Sequence, residues 1–468
     1  MRQGRPRHKG GVPRRNYYRM DGDVGMAYSV GMISLGCEKN RVDAEMMMAR
    51  LREAGFVLKD DAAGADAAIV NTCGFIESAK AESIEEILEL AKLKKEGKIR
   101  ALIVTGCMAE RYREEVRREL PEADAVCGIG ADGDIAEIVR RALEGEHPEV
   151  FPEKEKLPLE GKRVRSTPSY YTYLKIAEGC DNRCAYCAIP MIRGPYRSRE
   201  LEHVVKEAEE LAAAGVKELI LIAQDVTRYG KDLHDGPRLP ELLRRLCRID
   251  GLRWIRLLYC YPDAITDELL DVMANEKKIV KYMDLPLQHC SHEVLRAMHR
   301  AGSRGELTEL IAKIPARVPG IVLRTTMMVG FPGETADDFN ELCEFTKEIK
   351  FERLGCFAFS QEEGTAAYDM EDQIPQDEKE RRRDILMEQQ QTIMQRWGES
   401  RVGQTVEVLV EGYDRYAGCW FGRSAADAPE VDGRVFFTAQ PGKPRAGEFR
   451  KVLLTECLDC DMLGELVG

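Results

Sequence analysis

Residues 171–193 read YTYLKIAEGCDNRCAYCAIPMIR, and the parsing of this stretch decides the fold. It opens as a strand, YTYLKIAEG, and runs directly into a loop with the cysteine spacing CxxxCxxC. Five further runs of strand character follow: KELILIAQ, RWIRLLYC, KYMDLPL, IVLRTTMMVG and ERLGCFAFS. Helical stretches such as Glu200–Ala214 and Asp337–Ile349 stand between them as crossovers. Alternation of this kind specifies parallel strands with helices outside, and six units over residues 169–376 make a partial (β/α)6 barrel. Functional groups of such a barrel belong at the C-terminal ends of its strands, where the cysteine loop sits.

The chain has 15 cysteines and no apolar stretch after its basic N-terminal residues to serve as a secretory signal, so a disulfide framework is not expected. Cys180, Cys184 and Cys187 are spaced to wrap one iron–sulfur cubane. Three thiolates for four irons leave one iron open, which suits the amino and carboxylate groups of S-adenosylmethionine. The alternatives are a zinc site or unconnected core cysteines; zinc ordinarily takes four ligands in paired CxxC arrangements, which this loop alone lacks. Tyr186, inside the loop, is in a position to shield the cluster. Gln224 and Asp225 end the second strand within reach of a cofactor's polar groups. Gly330, Gly333 and Glu334 end the fifth, where glycines admit a nucleoside close to the backbone. Turn formation and helix capping account for each of these equally well. Arg193, Arg197 and Arg199 read either as ligands for carboxylate or phosphate or as surface charge. No catalytic acid or base is assigned.

Upstream, over residues 29–148, strands within AYSVGMISLGC, DAAIVNTC, RALIVTGC and DAVCGIG alternate with helices around Val42–Ala54, Glu77–Glu96 and Ala109–Leu120. This predicts a separate α/β domain with a parallel sheet. Cys37, Cys73 and Cys107 each end one of its first three strands. Such ends gather at one edge, with strands about 4.8 Å apart, and that edge is where doubly wound sheets bind ligands. The trio reads as holders of a second cluster, again with one iron free; the alternative is three buried cysteines. Polar, turn-forming neighbours (Asn40, Asn71, Gly74) favour the ligand set.

Residues 149–168 are charged and proline-punctuated, as a linker would be. A polar helix, Gln376–Trp397, ends the barrel unit of residues 169–397. Residues 398–468 carry strands within VGQTVEVLVEGYD, GRVFFTA and EFRKVLLTEC, a small antiparallel β-barrel. At the other end, residues 1–28 read as a disordered basic tail, with Met26 or Met32 as an alternative start; the first twenty hold seven Lys/Arg and no acid. The rest of the chain has 62 basic and 81 acidic residues. So acidic a body is a poor generic nucleic-acid binder and suits a basic protein partner. No apolar run reaches the roughly 18 residues of a membrane helix, and a cytoplasmic protein with no membrane partner is expected. Cys127, Cys247, Cys260, Cys290, Cys343, Cys356 and Cys419 read as core packing. Cys457 and Cys460 form a CxxC with no partner pair, and His289 reads as a hydrogen-bonded core histidine or a site group.

The strings AEGCDNRCAYCAIPMIRGPYRSR and MMVGFPGET resemble radical S-adenosylmethionine enzymes. SLGCEKNRVDAE, NTCGFIESAKAES and TGCMAERY resemble the N-terminal domain of the methylthiotransferases. With a TRAM-like terminal barrel, the resemblance to that family covers nearly the whole chain after residue 29. It implies two 4Fe–4S clusters, the barrel one generating a 5′-deoxyadenosyl radical and the N-terminal one carrying sulfur, and a second S-adenosylmethionine to supply the methyl. SLGCEKN, DLPLQHCSHEVLRAMHR and FSQEEGTAA resemble the RimO type, which adds a methylthio group to the β-carbon of an aspartate in a small-subunit ribosomal protein. The branch that modifies adenosine in tRNA usually has a QSGS-like run at Gln288–Ser291 and an arginine where Glu362 or Glu363 stands. Ala44 departs from the family's usual serine, away from any proposed ligand. An acidic terminal barrel, with eight basic and eleven acidic residues over 400–468, suits a basic ribosomal protein better than RNA phosphates, although the basic tail points the other way. Partners implied are that ribosomal protein, a reducing electron carrier of flavodoxin or ferredoxin type, and a sulfur donor of unassigned identity. The alternatives are tRNA as substrate, or a non-catalytic iron–sulfur protein associated with RNA.

Overall fold

A computed structural model describes residues 28–156, 159–233, 236–439 and 443–467. The basic tail expected over residues 1–28 therefore lies, up to residue 27, outside the described residues. The N-terminal domain runs β1 (Ser29–Ser34), α1 (Glu38–Glu53), β2 (Val57–Lys59), β3 (Ala67–Thr72), α2 (Glu77–Lys95), β4 (Ala101–Gly106), α3 (Cys107–Arg111), α4 (Arg113–Glu119), β5 (Ala125–Cys127), α5 (Ile135–Leu143) and β6 (Glu149–Val150). All neighbours in its sheet, order β2-β1-β3-β4-β5-β6, are parallel. Every residue of β3 and β4 is buried, because separate apolar clusters cover the two faces of the sheet. The chain leaves β1 for β2 on one side and returns to β3 on the other, so the strand order reverses beside β1, which is where such sheets open a crevice.

Two details differ from the expectation. The helix foreseen over Ala109–Leu120 is two helices, broken at Tyr112 (φ −119°, ψ 43°), whose ring lies under the cations of Lys80 and Arg111. In the stretch expected to be linker, Glu149 and Val150 pair with β5 as the sheet's last strand.

The barrel begins with β7 (Tyr171–Lys175). A short antiparallel pair, β8 (Ala177–Glu178) and β9 (Arg197–Ser198), brackets the cysteine loop and α6 (Ile189–Arg193). Then follow α7 (Leu201–Ala213), β10 (Glu218–Ile222), α8 (Leu239–Cys247), β11 (Trp254–Leu257), α9 (Asp267–Asn275), β12 (Ile279–Asp284), α10 (His292–Ala297), α11 (Arg304–Arg317), β13 (Val322–Val329), α12 (Ala336–Ile349), β14 (Arg353–Ala358) and α13 (Gln376–Ser400). The six long strands pair in parallel in the order β7-β10-β11-β12-β13-β14, without closure. Period-two alternation separates the two faces. Leu174, Leu219, Leu221, Ile255, Leu257 and Met283 pack under the outer helices. Tyr171, Tyr173, Ile220, Ile222, Trp254 and Tyr282 point inward and share a cluster with Val42 and Met46 of α1 and with Leu409 and Ala428 of the terminal domain. Both flanking domains thus pack on the inner face of the open barrel.

The terminal domain is a closed barrel of β15 (Thr405–Asp414), β16 (Cys419–Ser424), β17 (Val435–Thr438), β18 (Phe449–Leu458) and β19 (Asp461–Leu466). Four of its pairings are antiparallel; closure comes from one parallel pairing, β17 with β19. Its seam with the large barrel sets a buried ion-pair cluster beside that apolar packing. Glu218 lies between Arg256 (2.8 Å) and Arg423 (2.7 Å), all three fully buried.

Candidate functional site

Cys37 follows β1, Cys73 follows β3 and Cys107 opens α3 after β4, so three loops at one sheet edge bring the N-terminal trio together. Two features draw the loops close. Gly36 has φ +86°, and a Cβ there would stand 2.9 Å from Cys73 Sγ, so only glycine fits. Asn40 donates from Nδ2 to the carbonyls of Leu35 (2.7 Å), Asn71 (3.3 Å) and Thr72 (3.2 Å), tying the ends of β1 and β3. Burial, together with the charges of Cys37 and Cys73, pushes the Cys107 thiol up to about 12. Cys73 is raised by burial and by Cys37. Bare thiolates here repel one another, and a bound cationic centre removes that cost.

The barrel trio lies on the loop after β8. Gly179 (φ +75°) turns the chain so tightly that a Cβ would collide with the Pro195 carbonyl. Asp225, wholly buried, accepts from Asn182 Nδ2 (3.0 Å), Thr227 N (3.0 Å) and Arg228 Nε (3.0 Å), and so fastens the cysteine loop to the end of β10. Burial drives Cys180 up to about 11 and Cys187 to about 12, with neighbouring thiols adding to each. Tyr186 is half-buried between Cys184 and Cys187 in the chain, and its hydroxyl accepts from Arg300 Nη1 (3.4 Å). Gln224 donates from Nε2 to Glu178 (2.9 Å), leaving its Oε1 buried and unpartnered. At the end of β13, Glu334 accepts from the backbone N–H of Gly330 (2.6 Å) and Phe331 (3.2 Å) and from Arg382 (2.8 Å). Its carboxylate therefore shapes the turn. Gly330 (φ +74°) is crowded by Lys379, while Gly333 (φ +81°) has open space where a side chain would stand.

Among the described residues, no three Cys, His, Asp or Glu side chains meet as the ligands of a single metal ion. Donor chemistry fits iron–sulfur clusters: thiols in two trios, each trio with one buried guanidinium at a sulfur. Arg193 Nη2 is 3.6 Å from Cys107 Sγ, and Arg300 Nη1 is 3.7 Å from Cys184 Sγ.

Comparison with known proteins agrees with this layout. Residues 29–128 match the uncharacterized protein family UPF0004, 174–346 the radical SAM superfamily and 402–467 the TRAM domain. A protein of Desulforamulus reducens named ribosomal protein uS12 methylthiotransferase RimO is 51% identical, over 94% of this chain and 99% of that one. Proteins of the same name from Thermoanaerobacter sp. and Pelotomaculum thermopropionicum are 49% and 48% identical, over 93% and 94% of this chain and 99% and 100% of theirs. The chain belongs to the RimO family of methylthiotransferases. Among solved structures, the radical S-adenosylmethionine methyltransferase TsrM of Kitasatospora setae, with cobalamin and a 4Fe–4S cluster bound, superposes with a TM-score of 0.52. It covers 71% of this chain and 75% of that one at 16% identity, a likeness of fold alone. Radical SAM chemistry with methylthio transfer is thus the activity of this RimO family member.

Several groups acquire roles that the sequence did not disclose. Arg193, 1% exposed, is no surface charge: it pairs with Glu178 (3.0 Å) and Asp43 (3.0 Å). Arg199 is buried against Glu160 (2.8 Å) and Glu207 (2.6 Å). Arg197 lies half-buried, with Nη1 donating to the Glu155 carbonyl at 3.3 Å. Arg300, inside the quoted string LRAMHR, escaped the sequence reading. It donates to Tyr186 and to the Pro286 carbonyl (2.7 Å), and stacks 4.2 Å over the Tyr261 ring. Glu362, singled out only as a branch marker, accepts from Arg111 (2.8 Å) and from the N–H of Glu77 at the start of α2 (3.0 Å). Arg111 also donates to the Gly74 carbonyl (3.0 Å), next to Cys73. His289 is fully buried, with Nδ1 accepting from the Ser291 N–H (3.0 Å) and Nε2 unpartnered. Cys457 is half-buried beside Gln395 and Cys460 is exposed at the β18–β19 turn, remote in sequence from both trios.

Proposed function

We propose that this chain adds a methylthio group to the β-carbon of an aspartate in ribosomal protein uS12, using two 4Fe–4S clusters and S-adenosylmethionine. The observation that carries the reading is its identity of about half with uS12 methylthiotransferases along nearly their whole length. When bound, the clusters and S-adenosylmethionine supply the radical and the sulfur and methyl groups. Cys180, Cys184 and Cys187 hold one cluster; Cys37, Cys73 and Cys107 hold the other. Asp225 keeps the cysteine loop in place through Asn182, and Arg300 offsets thiolate charge at Cys184. Tyr186 excludes water from the loop, while Gln224, with its unpartnered Oε1, offers an acceptor to the amino group of S-adenosylmethionine. Gly330 and Gly333, on a turn set by Glu334, present backbone to its nucleoside.

A protein substrate suits the mouth of the barrel. Residues 361–375 follow β14 and contain five acids and no base. Glu363, Asp369, Glu371 and Asp372 are exposed and make no ion pair among the described residues. This loop is bonded directly to the site, by Ala367 N–H to the Ala185 carbonyl (2.8 Å) and by Arg111 to the Glu363 carbonyl (2.7 Å). Unpaired carboxylates repel RNA phosphate and attract a basic protein. A ribosomal substrate places the reaction in the cytoplasm, where an electron carrier of flavodoxin or ferredoxin type and a separate sulfur donor complete it.

The test is mass spectrometry of uS12 peptides and of tRNA nucleosides from cells with and without this gene. Loss of a methylthio-aspartate from uS12 alone is expected; loss from tRNA adenosine alone would overturn the substrate. Iron per chain, after anaerobic reconstitution, should fall by half when Cys37, Cys73 and Cys107 are all changed to Ala. Unchanged iron would remove the second cluster.

A further inference from the structure

The helix that follows the barrel cysteines faces the other trio. Ala188 and Ile192 pack against Cys107 and Ile129 of the N-terminal domain. From the end of the same helix, Arg193, itself 1% exposed, reaches into a network with buried Glu178 and half-buried Asp43. Its Nη1 donates to both oxygens of Glu178 (3.1 and 3.0 Å) and lies 3.0 Å from Asp43 Oδ2. Its Nη2 points the other way, 3.5 Å from Asn40 Oδ1 and 3.6 Å from Cys107 Sγ.

The two carboxylates do not depend on that second nitrogen. Lys175 Nζ serves both, at 2.5 Å from Asp43 and 2.8 Å from Glu178, and Gln224 adds an N–H to Glu178. One arm of the guanidinium fork thus completes an ion-pair cluster that joins the barrel (Lys175, Glu178) to Asp43 of α1, and the other is committed to a sulfur of that same N-terminal domain. Asn40, which knits the ends of β1 and β3, presents only its carbonyl oxygen to Arg193, so it holds the guanidinium and offers Cys107 no competing donor.

We propose that Arg193 is the positioning residue that couples the two cysteine trios, fixing Cys107 against the barrel and setting the reduction potential of the centre held by Cys37, Cys73 and Cys107. This rests on the two-cluster reading above. A buried guanidinium N–H at a ligand sulfur is a charge-assisted hydrogen bond in a water-excluded setting. Hydrogen bonds to the sulfurs and local charge are what tune such centres, and both stabilise the more negative, reduced state. Because Arg193 stands six positions after Cys187, a displacement of the barrel loop is felt at Cys107 through a single short helix.

The experiment uses the full chain with Cys180→Ala, Cys184→Ala and Cys187→Ala, so that only the N-terminal site can hold iron. Into it go Arg193→Lys, which keeps a cation for Asp43 and Glu178 but cannot span to the sulfur, and Arg193→Met, which removes the charge. Iron content, the EPR spectrum of the reduced protein and the midpoint potential are measured after anaerobic reconstitution. Arg193→Lys should keep its iron, change the EPR spectrum and lower the midpoint by at least a tenfold shift in the reduction equilibrium, about 59 mV for one electron. Should Arg193→Met fail to fold, Arg193→Lys alone decides. An unchanged spectrum and potential with iron in place would overturn this proposal and leave the two-cluster reading standing. No iron in the parent triple variant would overturn both.

Discussion

His289 shows what burial does to a single residue. Its ring is wholly enclosed, and burial lowers its pKa to about 4 despite the carboxylate of Asp338 nearby, with Arg382 adding to the depression. A histidine held neutral in the fold but free to protonate when unfolded contributes stability above its unfolded pKa of about 6.5, lost as the pH falls toward 4. The contribution at stake is up to about 3 kcal/mol. Urea unfolding at pH 7 and pH 5 should therefore show wild type losing more stability than His289→Gln; equal losses would mean that the ring is protonated in the fold. In the sequence His289 was a core group or a site group, and only the enclosing side chains favour the first.

Among the elements, α2 and α3 hold the Cys73 loop to the barrel through one ion pair. Glu362 and Arg111 are each 5% exposed, and Glu362 also caps α2 from outside its own domain. Breaking such a pair from one side strands the other charge. Glu362→Ala should cost about 3–5 kcal/mol by denaturant unfolding. In a double-mutant cycle with Arg111→Ala, the pair should couple by more than about 1 kcal/mol. Faster hydrogen exchange is expected at the amides of Gly74–Lys80. Additive single effects would show that the contact is incidental. Long strands and helices were legible because period-two and helical patterns are local; β16 and β19 were not, since CWFGRS and DMLGEL owe their pairing to distant strands rather than to alternation.

Across the whole molecule, the three domains are held by buried charge as much as by apolar packing. Glu218, between Arg256 and Arg423, makes the terminal barrel part of the large one. Glu218→Ala should lower stability by about 3–5 kcal/mol and split thermal unfolding into two transitions, since Arg256 loses its carboxylate and Arg423 keeps only Glu411; a single unshifted transition would show the seam to be apolar in origin. The unpaired acids beside the barrel mouth act over a longer range. Raising salt from 50 to 500 mM should increase KM for the proposed substrate uS12, as should reversing Glu363, Glu371 and Asp372 together to Lys, with cleavage of S-adenosylmethionine in the absence of substrate unaffected. A KM indifferent to both changes would place substrate recognition elsewhere.

By itself the sequence determined the long strands and most long helices, the partial barrel, one cysteine trio at strand ends and the other in the loop after a strand, because each rests on spacing along the chain. It determined the family as well, through strings that span three domains. Only the tertiary structure decided which cations stand at those sulfurs. Arg193 and Arg300 lie beyond the cysteine loop in sequence, 6 and 113 positions after Cys187, and either would pass for solvated charge until the fold buries it. A guanidinium moves from surface to site through its neighbours in space, and those neighbours come from other domains and other strands.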